Sequence, residues 1–133
     1  TFNLILSSFA EKAKQAGIAL AVDAKLPKET PFSDSEICSL LSNALENAIR
    51  AASPIPDASK RQIRLRLFPR NGKLCIDLRN SFFKKPAFRG GLPVAADEGH
   101  GFGTRSMVRI VEKHGGVCRF FVQDGWFVFQ ASA

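Results

Sequence analysis

Apolar residues recur three and four positions apart in three stretches of the chain, which is the spacing of one face of an α-helix. Ser33 or Asp34 is expected to cap the second helix, and glycines that follow the first and third are expected to end them. The predicted helices cover residues 1–15, 33–52 and 104–114.

Apolar and polar residues alternate over residues 63–68 and 74–79, which predicts two half-buried strands. A short apolar stretch at 18–22 and the segments 117–122 and 126–129 are also predicted to be strands. Asn71-Gly72 and Asp124-Gly125 are dipeptides typical of tight hairpin turns. Two hairpins and one single strand favour a largely antiparallel sheet, and three helices can cover one face of it. The sequence therefore predicts one domain over residues 1–133 with a two-layer α/β sandwich fold, in which a mostly antiparallel mixed sheet is covered on one face.

Residues 80–103 show no convincing period and are rich in glycine, so a functional or mobile loop is expected there. Apolar residues make up 45% of the chain and no apolar run reaches about 18 residues, which predicts a globular domain without a membrane span. The start at Thr1 shows no leader pattern and no Met, and is interpreted as a fragment of a longer protein. Cys38, Cys75 and Cys118 stand singly and are expected to be buried free thiols, since a zinc site needs close pairs.

The formal net charge is +7. A basic domain is compatible with binding nucleic acid or with binding the polyphosphate of a nucleotide. The arrangement of particular residues has to decide between these two classes of partner.

Polar residues border the apolar stripe of the second predicted helix. Asn43, Asn47 and Arg50 are spaced four and three positions apart, so they lie in one line along the margin of that stripe. A carboxamide oxygen is a suitable ligand for Mg²⁺, and a guanidinium binds phosphate through its fork of donors. The alternative is that both asparagines only satisfy nearby backbone groups.

A glycine-rich segment, Gly99 to Thr104, directly precedes the third predicted helix. Backbone N–H groups at such a helix start form a phosphate cradle, although many glycine-rich loops are only turns. The segment lacks the lysine of a P-loop and the preceding strand of a dinucleotide-binding fingerprint.

Three features follow one another along the chain: an Asn-x-x-x-Asn helix, a strand ending in Asn80, and a glycine-rich loop before a helix. This ordered set resembles the GHKL superfamily of gyrase, Hsp90, mismatch-repair ATPases and histidine kinases. More narrowly, the chain resembles the ATP-binding domain of the peptide-sensing histidine kinases of Gram-positive bacteria. Residues 40–52 resemble the N-box, residues 78–81 the adenine-binding segment, residues 91–93 part of the lid, and residues 99–116 the G2 box with its helix.

The resemblance implies a fold of the Bergerat type and an ATP site with Mg²⁺ as cofactor. Asn47 would be the Mg²⁺ ligand, and Asn43 would act in catalysis by contacting phosphate or metal-bound water. Arg50 would contact the phosphates, and Asn80 would hydrogen-bond the adenine amino group.

The glycine-rich segment would hold the phosphates through the backbone amides of Gly101, Gly103 and Thr104. His100 would be a loop or phosphate contact. Residues 82–98 would form a mobile lid over ATP.

Two departures from the family pattern concern affinity. Asn80 replaces the usual aspartate, and its oxygen still accepts a hydrogen bond but brings no charge. Asp97 stands where related lids often carry a lysine. Lys84, Lys85 or Arg89 would have to compensate, unless that segment is only a solvated basic loop.

A third departure concerns the reaction. Hydrolytic members carry a glutamate where this chain has Asn43, and an amide cannot accept a proton at neutral pH. Glu46 lies on the wrong side of the predicted helix to replace it. The sequence therefore predicts poor hydrolysis and favours transfer of the γ-phosphate to a histidine.

Neither His100 nor His114 is placed on a long helical hairpin, so the acceptor is expected on a dimerisation segment upstream of Thr1. The predicted enzyme is a histidine kinase catalytic domain, weak or inactive alone and monomeric as a fragment, with a response regulator as a partner. By the resemblance it would be a cytoplasmic domain of a membrane-bound receptor, without nucleic-acid or membrane contacts of its own. The alternatives are a hydrolysing GHKL ATPase, a degenerate GHKL domain that only binds proteins, and a nucleic-acid binder suggested by charge alone.

Overall fold

The computed structural model describes residues 2–94 and 102–133, with only the backbone described for Phe102. A short 3₁₀ turn lies at Ala58–Lys60. The helices and strands are α1 (Phe2–Gln15), β1 (Ala19–Ala24), α2 (Asp34–Ala52), β2 (Gln62–Arg70), β3 (Lys73–Asn80), β4 (Ala87–Arg89), β5 (Leu92–Val94), α3 (Phe102–Lys113), β6 (Val117–Gln123) and β7 (Trp126–Ser132).

Within these residues the main sheet has five strands in the order β1-β2-β3-β7-β6. Strand β1 runs parallel to β2, and all other neighbours are antiparallel. The three helices cover one face, where the inward-pointing residues Ile63, Leu65 and Leu78 are almost fully buried. The predicted two-layer α/β sandwich is therefore confirmed. None of these helices is long and apolar enough to span a bilayer.

Tight turns form where the sequence predicts them. Asn71 and Gly72 both have positive φ, 53° and 75°, and Asp124 and Gly125 repeat this with 53° and 80°. Two successive residues with positive φ are what a two-residue hairpin loop requires. Gly17, with φ of 69°, follows the end of α1 as expected.

Helix α2 supplies much of the core. The Ser33 side chain accepts from the Glu36 backbone N–H at 3.1 Å, and the Glu36 carboxylate accepts from the Ser33 N–H at 2.9 Å. This capping box satisfies two donors that a helix start otherwise leaves open. The apolar stripe predicted for this helix is buried, and its members are Ile37, Leu40, Leu41, Ala44, Leu45, Ala48 and Ala52.

Part of the segment predicted to lack regular structure forms a hairpin. Strands β4 and β5 pair antiparallel around Gly90 and Gly91, whose φ angles are 59° and 78°. Phe88 of β4 stacks on Phe127 of β7 with ring centroids 6.1 Å apart. The prediction was wrong for residues 87–94, because three-residue strands are too short to show alternation.

The three cysteines are free, as predicted, but each is only partly buried. Partial burial raises the pKa of the Cys118 thiol, which keeps it in its less reactive protonated form.

Helix α3 begins at Phe102, two residues before the predicted start at Thr104.

Candidate nucleotide-binding site

The polar margin of α2 lies as the sequence predicts. Asn43 and Asn47 are half-buried beside the core, and Arg50 is exposed one turn further on. The Arg50 Nη1 donates to Asn47 Oδ1 at 3.3 Å, a long hydrogen bond between side chains in contact with water. Glu46 is exposed and forms no part of this line.

The start of α3 lies against Asn43. A Cβ atom built on Gly103 would stand 3.2 Å from Asn43 Oδ1, so the glycine allows the carboxamide to approach the helix backbone. Gly103 and Thr104 both fall in the first turn of α3, where backbone N–H groups have no acceptor within the helix. Because those groups carry the positive end of the helix dipole, Asn43 borders a place that favours an anion.

Asn80 ends β3 between Ile63 of β2 and Phe127 of β7. It is 2% exposed, and its Nδ2 donates to the Ser81 carbonyl at 2.9 Å. No described residue donates to its Oδ1. A buried carboxamide with an available acceptor can receive a hydrogen bond from an amino group of a ligand.

The chain after β3 is tied to the end of α2. The Ser81 N–H donates to the Gln62 carbonyl at 2.9 Å, and the Gln62 N–H donates to Ser81 Oγ at 2.9 Å. The Phe83 N–H donates to the Ala51 carbonyl at 3.3 Å. These bonds hold the end of β3 beside the C-terminal half of α2, close to the asparagines of that helix.

Two of the predicted site residues, His100 and Gly101, lie outside the described residues. Asp97 and the rest of the segment 95–101 do so as well. The other six predicted residues are described, and the structure places them on the end of β3, on α2 and on the first turn of α3.

A network around His114 at the other end of α2 was not predicted from the sequence. Its Nε2 lies 2.9 Å from Glu36 Oε1, and Lys113 Nζ donates to Glu36 Oε2 at 3.1 Å. The His114 ring also meets Phe32 edge-on at 5.1 Å. Hydrogen bonds from the Ser33 backbone, then from Lys113 and His114, lower the pKa of Glu36 to about 2. Only the Ser-x-x-Glu spacing at residues 33–36 was a visible signal.

No group of three His, Cys, Asp or Glu side chains that could hold a metal ion occurs among the described residues. Mg²⁺ keeps several waters in protein sites and takes other oxygen ligands from the phosphates of a substrate. The half-buried Asn47 carboxamide fits the role of a single protein ligand to such an ion.

A family model described as GHKL domain matches residues 33–132. The chain belongs to the GHKL domain family. The match spans α2, the end of β3 and the start of α3, which carry the described part of the candidate site. The superfamily assignment made from the sequence is thereby confirmed.

The fold of this GHKL domain is that of histidine kinase catalytic domains. The catalytic domain of histidine kinase ThkA matches with a TM-score of 0.78 and 19% identity over 98% of this chain and 88% of that one. The mycobacterial sensor histidine kinase MprB matches with a TM-score of 0.72 and 16% identity, over 98% of this chain and 92% of that one.

Full-length ShkA in complex with AMPPNP matches with a TM-score of 0.68 and 18% identity, over all of this chain but 30% of ShkA. Among curated proteins, none matches this sequence. At these identities the solved structures support the fold, and the peptide-sensing subtype stays a prediction.

Proposed function

We propose that this domain binds Mg-ATP and donates the γ-phosphate to a histidine on an upstream dimerisation segment of a two-component sensor kinase. The observation that carries the proposal is the contact between the Asn43 carboxamide and Gly103 in the first turn of α3. It brings the asparagine line of α2 beside a helix start suited to phosphate. Membership of the GHKL family and the AMPPNP complex of the ShkA kinase support a nucleotide as the ligand.

Asn47 and Arg50 would share the metal and phosphate end of the site. Arg50 donates a hydrogen bond to Asn47 Oδ1 in the structure. A Mg²⁺ ion would bind the same oxygen, so the ion and the guanidinium would compete for it. Because that hydrogen bond is long and Arg50 is exposed, the guanidinium can leave the oxygen and bind a phosphate through its fork. Bound Mg²⁺ would supply charge neutralisation at the transferring phosphate.

The adenine and the phosphates would lie at opposite ends of the site. Asn80 Oδ1 would accept a hydrogen bond from the adenine amino group. The backbone amides of Gly101, Gly103 and Thr104, together with His100, would bind the phosphates. Residues 82–98 would cover the nucleotide, and the hairpin β4–β5 forms part of that predicted lid.

Transfer, rather than hydrolysis, follows from what Asn43 lacks. Its amide cannot take a proton from water, and the exposed Glu46 is outside the polar line of α2. His114 is engaged by Glu36, so we place the phosphoacceptor upstream of this domain. The remaining assignments, a cytoplasmic location in a peptide-sensing receptor and a response regulator as the next acceptor, rest on the resemblance alone.

The first test is calorimetric titration of the domain with ATP, with and without Mg²⁺. We expect Mg²⁺-dependent binding, and we expect Asn47→Ala to weaken it by about 1.5–3 kcal/mol, roughly tenfold or more in Kd, because a ligand to a charged group is lost. The matched control is Asn3→Ala, the same change at an exposed position on α1, which should bind like the parent.

Two results would contradict the proposal. Absence of binding by the parent at millimolar Mg-ATP would favour a degenerate GHKL domain that serves protein interaction. Steady ATP hydrolysis by the isolated domain would favour a hydrolysing ATPase. If binding behaves as expected, adding the upstream segment of the full protein should give acid-labile phosphohistidine.

A further inference from the structure

The face of the sheet that carries no helices is strongly basic. Alternation along β2, β3, β7 and β6 sends every second side chain to this outer sheet face. The fold brings several basic residues together on this face. The cationic side chains of the outer sheet face among the described residues are Arg64, Arg66, Arg70, Lys73, Arg79 and Arg119.

Four of these arginines lie over aromatic rings of the same face. The guanidinium carbon of Arg64 lies 4.8 Å from the centroid of the Trp126 ring. Arg66 and Arg70 both lie over Phe68, at 4.8 and 5.6 Å from its centroid. Arg119 lies 4.7 Å from the centroid of Phe121. Such stacking holds a guanidinium through its plane and leaves its N–H edge available to an acceptor.

The long side chains also shield the sheet beneath them. Val128 stands between Arg79 and Phe121 in the register of β3, β7 and β6, on the helix-free face. It is nevertheless fully buried. The arginines and aromatic rings therefore form a packed layer rather than a set of independent solvated chains.

Carboxylates neutralise only part of this charge. Asp77 accepts from Arg79 Nε at 2.9 Å and from Gln130 Nε2 at 2.8 Å, and Gln130 Oε1 accepts from Arg119 at 2.9 and 3.0 Å. Asp23 stands beside Arg66 in the register of β1 and β2. Asp124 in the turn between β6 and β7 also acts on Arg79 and helps to raise the pKa of its guanidinium. Six cations against these three carboxylates leave a net charge of about +3 on this face.

A shallow concavity of about 270 Å³ opens in the same face. Its lining includes Phe68, Arg70, Asp77 and Arg119. Asp77 already accepts hydrogen bonds from Arg79 and Gln130, so the guanidinium groups of Arg70 and Arg119 are the groups that would pair with the carboxylate of a ligand such as a glutamate side chain.

We infer that the outer sheet face binds an acidic surface or segment of another protein. Five arginines with one lysine, accompanied by tryptophan and phenylalanine, match the composition of protein–protein interfaces, which favour arginine and aromatic residues over lysine. Arginine forks pair with carboxylates in two-point contacts. The rings of Trp126, Phe68 and Phe121 are already stacked under guanidiniums, so they are not open platforms for nucleic-acid bases. This inference is independent of the proposed ATP site.

The test is a titration of ¹⁵N-labelled domain with a short poly-L-glutamate peptide at low salt, followed by heteronuclear correlation spectra. We expect shifts concentrated on backbone amides of β2, β3, β6 and β7. The variant Arg64→Gln/Arg66→Gln/Arg119→Gln should bind roughly tenfold more weakly or worse, since three charge-assisted contacts are lost.

A matched control is Lys14→Gln/Lys28→Gln/Lys60→Gln, which has the same net charge and changes exposed positions away from this face. It should retain most of the affinity. The variant Arg64→Lys/Arg66→Lys/Arg119→Lys keeps the charge without the fork, and we expect intermediate binding. It also provides a measurement if the glutamine variant does not fold.

The inference is overturned if the control loses as much affinity as the arginine variants, or if the shifts spread over the helices, because either result means general charge attraction. Tighter binding to oligothymidylate of equal charge would assign the face to nucleic acid instead. Tighter binding to phosphatidylserine vesicles would assign it to a membrane surface.

Discussion

At one end of the α2–α3 pair, the start of α2 meets the end of α3 through Glu36, Lys113 and His114. At the other end, the middle of α2 meets the start of α3 where Asn43 approaches Gly103. The first end is a closed network, in which one carboxylate accepts from a capping backbone N–H, an ammonium and an imidazole. At the second end, a half-buried asparagine of α2 lies beside the first turn of α3, whose backbone N–H groups have no acceptor within the helix.

This difference separates structural polarity from polarity suited to a ligand. At the closed end each group has found its partner inside the protein, so the network stabilises helix packing. At the open end the first-turn N–H groups of α3 lack intrahelical acceptors, and the asparagines of α2 are half-buried. An anion with its metal would complete this end as Glu36 completes the other.

Two glycines provide the strongest test of this comparison. At Gly116, beside the closed end, an added Cβ would overlap the Ser132 carbonyl oxygen. Because that atom belongs to the backbone, Gly116→Ala should destabilise the fold by about 1–3 kcal/mol. At Gly103 the three atoms nearest to an added Cβ all belong to the movable Asn43 side chain, and alanine has a higher intrinsic helix propensity than glycine.

We therefore expect Gly103→Ala to keep or raise the melting temperature while weakening Mg-ATP binding several-fold, and Gly116→Ala to lower the melting temperature. Thermal unfolding and calorimetric titration of both variants measure this. The comparison fails if the Gly103→Ala variant is unfolded, or if it binds Mg-ATP as tightly as the parent. In either case the open end would not be distinguished from the closed end by a role in nucleotide binding.

A smaller effect is expected at the cap of α2. Ser33→Ala removes the acceptor of the Glu36 backbone N–H and should cost about 1 kcal/mol in the free energy of unfolding. Mg-ATP affinity should stay unchanged, because the capping box lies at the closed end. Urea unfolding and the same titration check both points, and a parallel loss of affinity would show that the two ends are coupled.

The smallest effect is expected in how the stability of the fold depends on pH. The folded-state pKa of Glu36, about 2, lies below its ordinary value of 4.5. The charged carboxylate therefore contributes stability above about pH 4.5, and this contribution disappears as the pH falls towards 2. Between pH 6 and pH 3 the melting temperature of Glu36→Gln should decrease less than that of the parent.

Glu46→Gln is the control for this measurement, since it makes the same change at an exposed position on the same helix. It should follow the parent over the whole range. Equal acid sensitivity of the parent and Glu36→Gln would mean that the closed network contributes little to folding.

Local signals explain why so much of the fold could be predicted. Asn71-Gly72, Asp124-Gly125 and Ser33 each act within a few residues, and the structure has the turns and the cap that they predict. The line of Asn43, Asn47 and Arg50 depends only on helical periodicity, and its position was also predicted correctly. The roles of these residues in binding remain predictions.

The remaining features depend on residues that are distant in the sequence. Glu36 and His114 are 78 positions apart, and no periodicity connects them. The outer sheet face arises from the pairing of β3 with β7, which alternation within one strand does not reveal. Strands β4 and β5 depend on the stacking of Phe88 on Phe127 as well as on their glycine turn.

The position of β7 has a consequence for biosynthesis. Among the strands of the described residues β7 comes last in sequence, yet it pairs between β3 and β6. While a ribosome is still producing β7, β3 and β6 each lack a neighbour and present open edges, which are prone to aggregation. The sheet can close only after β7 emerges, so the domain should fold late, and nascent chains stalled before Trp126 should be substrates for chaperones.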